Sequence, residues 1–182
     1  MQRKSFGKMP CPIARSLERV GEWWSILIIR DALHGFTCFD EFQKSLNIAP
    51  NMLTRRLSGL VDAGLLERRR YSERPPRYEY ILTDKGRDFR PVIVAMAAWG
   101  NRHFAPEGAS VLLIDRKTQR AADPVLVDRR SGRALNERDF VFAAGPAASE
   151  RTRRRYAMIN QKKTLDARKS SKTAGARKRR AP

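Results

Sequence analysis

The chain has 182 residues, with 38 Lys and Arg against 19 Asp and Glu, a formal net charge of +19. So large an excess goes beyond what solubility needs and implies a polyanionic partner, nucleic acid before anionic membrane. No apolar run nears the ~20 residues that span a bilayer, the N-terminus lacks a signal-type apolar core, and two cysteines make no disulfide framework, so a cytoplasmic, DNA-associated protein is expected.

The charge divides the chain. Residues 1–105 carry net +7, residues 106–150 net zero and residues 151–182 net +12. The first segment reads as a series of helices. Residues 11–20 place Ile13, Leu17 and Val20 on one side of a first helix. Gly21 and Glu22 interrupt it. Trp23–Leu33 is strongly apolar and predicts the central buried helix. Gly35-Phe36-Thr37-Cys38 reads as a turn and short strand. Phe39–Leu46, with Phe39, Phe42 and Leu46 inward, is a supporting helix, and 47–50 a turn.

The stretch 47–83 is the most informative. After Pro50-Asn51, Leu53, Leu57 and Leu60 form one apolar stripe of a helix that Gly64 ends as a C-cap. At about 3.6 residues per turn, Asn51, Arg55 and Ser58 fall opposite the stripe, with Thr54 and Arg56 flanking it. Two runs follow, Leu65–Tyr71 and Arg77–Leu82, joined by Ser72-Glu73-Arg74-Pro75-Pro76. In the second, Tyr78, Tyr80 and Leu82 alternate with Glu79 and Ile81, as in a half-buried strand. A groove-sized helix with a basic hairpin behind it is the sequence form of a winged helix-turn-helix.

Thr83-Asp84 caps a last long helix, striped by Phe89, Ile93, Met96 and Trp99 or Gly100. Pro91 favours a kink there unless it lies in the first turn. Val111–Ile114 and Val125–Val127 are short β-type runs in a segment punctuated by Pro124, Gly132, Gly145 and Pro146, too short for a sizeable core of its own. From Ser149 the chain is rich in Arg, Lys, Ser and Ala. Residues 151–159 suit transient helix, and disorder is expected beyond.

Several ordered motifs resemble the HxlR-type branch of the MarR-like winged-helix regulators. They are Cys11-Pro12-Ile13-Ala14-Arg15, Gly21-Glu22-Trp23-Trp24 with Leu27-Ile28-Ile29-Arg30-Asp31, and Phe39-Asp40-Glu41-Phe42. Then come Leu53-Thr54-Arg55-Arg56-Leu57, Gly64-Leu65-Leu66, Pro75-Pro76-Arg77-Tyr78-Glu79-Tyr80, Leu82-Thr83-Asp84-Lys85-Gly86 and Ala98-Trp99-Gly100. The resemblance runs from about residue 10 to 102. It implies a homodimer formed through the first and last helices, bound to a palindromic operator. Longer members carry a C-terminal unit similar to a zinc ribbon. Where thiolates would stand, this chain offers Lys117 or Thr118, Asp128 and Ser131. A structural zinc site needs about four nitrogen or sulfur ligands, so a metal-free relic held by its β-runs is expected.

The candidate DNA-binding residues are Asn51, Thr54, Arg55, Arg56, Ser58, Arg74 and Arg77. Arginine bonds guanine bidentately and asparagine does so with adenine. The plainer reading is a solvated face or phosphate contact alone. Arg68, Arg69 and Arg70 alternate sides of a strand and cannot all meet one phosphate row. Arg74, at the tip, is the best wing candidate, against a wing whose arginines and prolines only protect an edge. Cys11 stands where the resemblance puts a redox or electrophile sensor, a role that requires an accessible thiolate. An inert cysteine near the dimer interface fits equally well. Cys38, before a buried phenylalanine, reads as core, and so do the tryptophans, as core or interface. His34 and His103 lack metal-ligand spacing.

The resulting reading is a mainly α fold with a small β-wing (α+β), a small β-rich appendage and a disordered basic tail. The divisions are 1–105 for DNA binding and dimerisation, 106–148 for the appendage and 149–182 for the tail. The function read is a sequence-specific transcriptional regulator, a repressor or activator, without cofactor, metal or membrane, and with room for a small-molecule or electrophile effector. The rival is a sequence-independent architectural DNA binder driven by the tail. No nucleophile elbow, phosphate loop or credible carboxylate pair supports an enzyme.

Overall fold

A computed structural model describes residues 11–162. Its elements run α1 (Pro12–Val20), α2 (Trp23–Leu33), α3 (Phe39–Leu46), α4 (Pro50–Asp62), β1 (Leu66–Glu73), β2 (Pro76–Leu82), α5 (Asp84–Arg87) and α6 (Arg90–His103). Residues up to Leu126 form one compact unit and those from Val127 a second.

The core of the first unit follows from the apolar stripes. Ile28 and Ile29 of α2, Phe42 of α3, and Leu53, Leu57 and Leu60 of α4 are fully buried, closed by Ile48, Leu65, Leu66 and Leu82. Each such side chain contributes roughly 1.5–3 kcal/mol by leaving water. Helix α2 is therefore the post on which α3, α4 and the hairpin are mounted.

Local chemistry sets the helix ends. At α3, the Glu41 Oε2 accepts from the Cys38 N–H at 2.8 Å and the Thr37 N–H at 2.9 Å, satisfying two donors that precede the first turn. Those bonds, Cys38 first, hold the Glu41 carboxyl below its ordinary range. Asn47 ends α3 in the left-handed region, φ 47°, a conformation that asparagine tolerates. Pro50 opens α4, where its missing N–H costs no helical bond. Ala63 caps α4, and Gly64 follows it at φ 69°.

Strands β1 and β2 pair antiparallel from Leu66↔Leu82 to Glu73↔Pro76, with an irregularity between Arg70 and Ser72 that leaves Tyr71 unpaired. The chain before α3 adds to this wing: Cys38 bridges Glu79, and the Tyr80 N–H donates to the Thr37 carbonyl at 2.7 Å. The turn and short strand expected at 35–38 are thus a fringe of the hairpin.

The last core helix differs from expectation. Thr83 caps the single turn α5, its Oγ1 accepting from the Gly86 N–H at 3.1 Å. Only at Arg90 does α6 begin, with Pro91 in its first turn, where no hydrogen bond is lost. The sequence signals for a cap and for a proline belong to two helices, not one kinked helix.

The β-type runs beyond α6 supply one bridge each, Ile114↔Ala121 and Val127↔Ala134. Both bridges close turns of one sequence pattern, Ile114-Asp115-Arg116-Lys117-Thr118-Gln119-Arg120-Ala121 and Val127-Asp128-Arg129-Arg130-Ser131-Gly132-Arg133-Ala134. In the first turn the Asp115 carboxylate accepts from the Lys117 N–H at 2.7 Å and the Thr118 N–H at 3.2 Å. In the second, Asp128 accepts from the Ser131 hydroxyl at 2.6 Å and the Ser131 N–H at 2.9 Å. These bonds hold both carboxyls below their usual range, Lys117 leading for Asp115 and the Ser131 hydroxyl for Asp128. Residues 150–162 are helical, more order than a tail disordered from residue 149 implies. The disorder expected farther on lies outside the described residues.

Candidate nucleic-acid interface

The Leu53, Leu57 and Leu60 face of α4 is buried in the core, so the opposite face must meet solvent. Asn51, Thr54, Arg55 and Ser58 all lie on it and are exposed. The Thr54 hydroxyl donates back to the Pro50 carbonyl at 2.9 Å, which occupies its one donor within the helix. The Arg55 guanidinium has no hydrogen bond or ion pair among the described residues.

Arg56 stands apart from these four. Its side chain is only 18% exposed and its guanidinium pairs with the Glu22 carboxylate at 2.9 Å. Glu22 is the N-cap position of α2. The pair therefore clamps α4 to the start of the central helix. Arg56 sits close to the buried stripe on the helical wheel, and this is the physical reason that it is drawn inward rather than left on the groove-facing surface.

The wing's arginines divide in the same way. Arg68 stacks on the Tyr78 ring at 3.6 Å. Arg69 pairs with Glu79 at 2.9 Å. Arg70 donates to the carbonyls of Ser72 and Glu73 at 3.2 and 3.0 Å. All three are thus committed to holding the hairpin together. Arg74 and Arg77, at the tip, are exposed and have no partner among the described residues. The structure gathers an uncharged polar and arginine-bearing helix face and two free wing arginines on one unit.

Cys11 is half-buried at the N-cap position of α1, and Cys38 is half-buried before α3; both are free thiols. Among the described residues no group of three His, Cys, Asp or Glu is placed to hold a metal ion, and no helix is long and apolar enough to cross a membrane.

A helix with a polar face, mounted on a supporting helix and followed by a two-stranded wing, defines a winged helix-turn-helix of the DNA-binding class. The chain belongs to the HxlR-like helix-turn-helix family, whose model matches residues 19–108. It is 37% identical over 135 residues to an uncharacterized HTH-type transcriptional regulator of Mycobacterium bovis, covering 74% of this chain and 85% of that one. Among solved structures it is similar to PA1374, a transcription-factor candidate from Pseudomonas aeruginosa, at 59% identity and a TM-score of 0.59, covering 80% of this chain and 99% of that one. PA1607, another such candidate, matches at 38% identity and a TM-score of 0.69, covering 78% of this chain and all of the other. The protein is a transcriptional regulator with a helix-turn-helix DNA-binding fold.

Proposed function

We propose that this regulator acts as a homodimer on a palindromic operator, in the cytoplasm and without catalysis. The observation that carries the reading is the pairing of an exposed Asn51, Thr54, Arg55, Ser58 face with Arg74 and Arg77, which are exposed and have no partner among the described residues. In this arrangement the two copies of α4 enter successive major grooves about one helical turn apart, and the wings contact the flanks. Exposed apolar side chains support dimerisation: Ile13, Leu17 and Trp23 at the start of the chain, and Val92, Met96 and Trp99 on α6. Trp23 is 75% exposed and Trp99 57%, apolar surface that a second copy would remove from water.

The proposed division of labour is 1–105 for binding and dimerisation, 106–148 for a metal-free appendage and 149–182 for a basic tail. The Asp115 and Asp128 carboxylates tie their own turns, as a metal with thiolates would otherwise do. Purified protein is accordingly expected to hold no stoichiometric zinc, and elemental analysis giving near one zinc per chain would overturn the relic reading.

A competition footprint tests the whole proposal against the architectural alternative. A discrete protected palindrome is expected; uniform coverage of the duplex refutes operator binding. The tail adds phosphate contacts, which attract and position but do not specify. Removing residues 151–182 is expected to keep the ranking of DNA sequences and to make the dependence of affinity on salt shallower, by about 0.9 in log–log slope for each phosphate that the tail neutralises. Equal slopes for full-length and truncated protein would show that the tail does not touch DNA.

Cys11 is proposed as a redox or electrophile sensor. It stands half-buried at the N-cap position of α1, the helix that bears the exposed Ile13 and Leu17. Cys11→Ser is expected to abolish quinone- or peroxide-induced release from DNA, read as the disappearance of retarded complex in a gel shift. An unchanged response would make Cys11 structural.

A further inference from the structure

Helix α6 has two faces. Val92, Met96, Trp99 and His103 recur at three- and four-residue spacing and are exposed. Arg90, Ile93, Val94, Ala97 and Asn101 recur in the same way on the opposite side, where they wall a groove of about 770 Å³. The C-terminal end of α2, with Arg30, Leu33 and His34, forms a second wall, and the chain from Ala109 to Pro124 forms the third. That third wall is held by Asn101, whose side-chain amide donates to the Val111 carbonyl at 2.9 Å, and by an Arg102–Asp123 pair at 3.7 Å.

The chemistry of the groove is lopsided. Leu33, Ile93, Val94, Leu112 and Leu113 give it apolar walls. Four arginines lie around them, Arg30, Arg90, Arg102 and Arg116, against one acidic residue, Asp123. Arg30 is occupied by Asp31 at 2.8 Å and Arg102 by Asp123. The guanidinium groups of Arg90 and Arg116 have no protein partner among the described residues. The volume lies within the roughly 300–1,000 Å³ of small-molecule sites, which combine apolar walls with a few placed polar groups. The chain's own terminal segments are poor occupants, because residues 1–10 and 163–182 are both strongly basic and the rim repels them.

We infer that this groove is an effector site for a hydrophobic monocarboxylate, its apolar body between α6 and the 109–124 segment and its carboxylate on Arg90 and Arg116. The planar guanidinium suits a carboxylate bidentately. Helix α6 is the shared wall: it bears the ligand on one face and the exposed apolar stripe on the other. A ligand that wedges the groove shifts the stripe, and with it the spacing of two recognition helices in a dimer. The effector role rests on the DNA-binding reading above; the binding site itself does not.

Calorimetry on the full-length protein tests the site, with phenylbutanoate and decanoate as probes and phenylbutanamide and inorganic phosphate as controls. One saturable site per chain is expected for the carboxylates. Without the charge-assisted bonds the amide should bind about tenfold more weakly. Arg90→Gln and Arg116→Gln, both at exposed positions, should each weaken phenylbutanoate by a similar factor, and Ala97→Trp should fill the groove and abolish binding at an unchanged melting temperature. Failure of both carboxylates to saturate, equal binding of the amide, or undiminished binding in both glutamine variants overturns the site. Phosphate binding as tight as the carboxylates would reassign the arginines to a nucleic-acid backbone. Coupling is reciprocal, so the carboxylate should lower DNA affinity by the factor by which DNA lowers carboxylate affinity. Binding without any change in DNA affinity overturns the effector role alone. Carboxylate binding by a protein that binds no DNA would fault the operator reading instead.

Discussion

Arg55→Ala is expected to cut the discrimination between operator and base-substituted duplexes at one position of each half-site. A bidentate contact to a base edge supplies about 1–3 kcal/mol of discrimination, which corresponds to roughly 5- to 150-fold in relative affinity. Arg55 is the arginine of α4 without a partner among the described residues, since Arg56 is held by Glu22. Arg74→Ala provides the contrast: on a wing tip beside phosphate it should weaken all duplexes alike, because a phosphate contact carries no sequence information. Affinities measured by fluorescence anisotropy across single-base operator variants decide the matter. An unchanged specificity profile for Arg55→Ala would mean that another face of α4, or another element, reads the bases.

Gly86→Ala should be strongly destabilising. A Cβ at Gly86 would stand 2.1 Å from the Leu65 carbonyl oxygen and 2.8 Å from the Leu82 Cδ2. The oxygen belongs to the backbone and cannot rotate away. It also accepts from the Thr83 N–H at 3.1 Å, so moving it would loosen the junction of wing and α5. The expected loss is about 3 kcal/mol, at the upper end of overpacking costs, or roughly 10–20 °C in melting temperature for a domain of this size. Gly59→Ala is the control. Nothing lies within 4 Å of a Cβ there, and alanine in a helix interior gains up to about 1 kcal/mol over glycine. Thermal melts of the two variants, followed by circular dichroism, should move in opposite directions. A Gly86→Ala melt within a degree or two of the native protein would mean that the α5 turn is free to shift.

The legible parts of the fold were those fixed by neighbours in sequence. The stripe of Leu53, Leu57 and Leu60, the apolar block of Trp23–Leu33 and the alternation of Tyr78, Tyr80 and Leu82 each state a periodicity within a dozen residues. Their elements follow from it, since a helix or strand face is buried as a unit. Arg56 could not be placed in that way. Its partner, Glu22, precedes a different helix, and at the margin of an apolar stripe only tertiary packing decides whether an arginine faces solvent or a carboxylate. The same holds on the wing, where Tyr78 and Glu79 of the opposite strand occupy Arg68 and Arg69. Beyond α6 there was a usable signal that periodicity does not detect: the repeat of aspartate, two basic residues and a hydroxyl residue at 115–118 and 128–131. Each copy is followed by a residue at positive φ, Gln119 at 56° and Gly132 at 69°. Turn chemistry carries that signal, whereas strand alternation reduces the segment to short apolar runs.

The Glu22–Arg56 clamp bears on how the protein meets its target. With three leucines buried beneath it and an ion pair at its side, α4 has its orientation set when the chain folds, and no ordering of the helix remains to be done at encounter. Association should then behave as the docking of rigid bodies, its rate governed by the pull of the basic surface on the duplex and not by a refolding step.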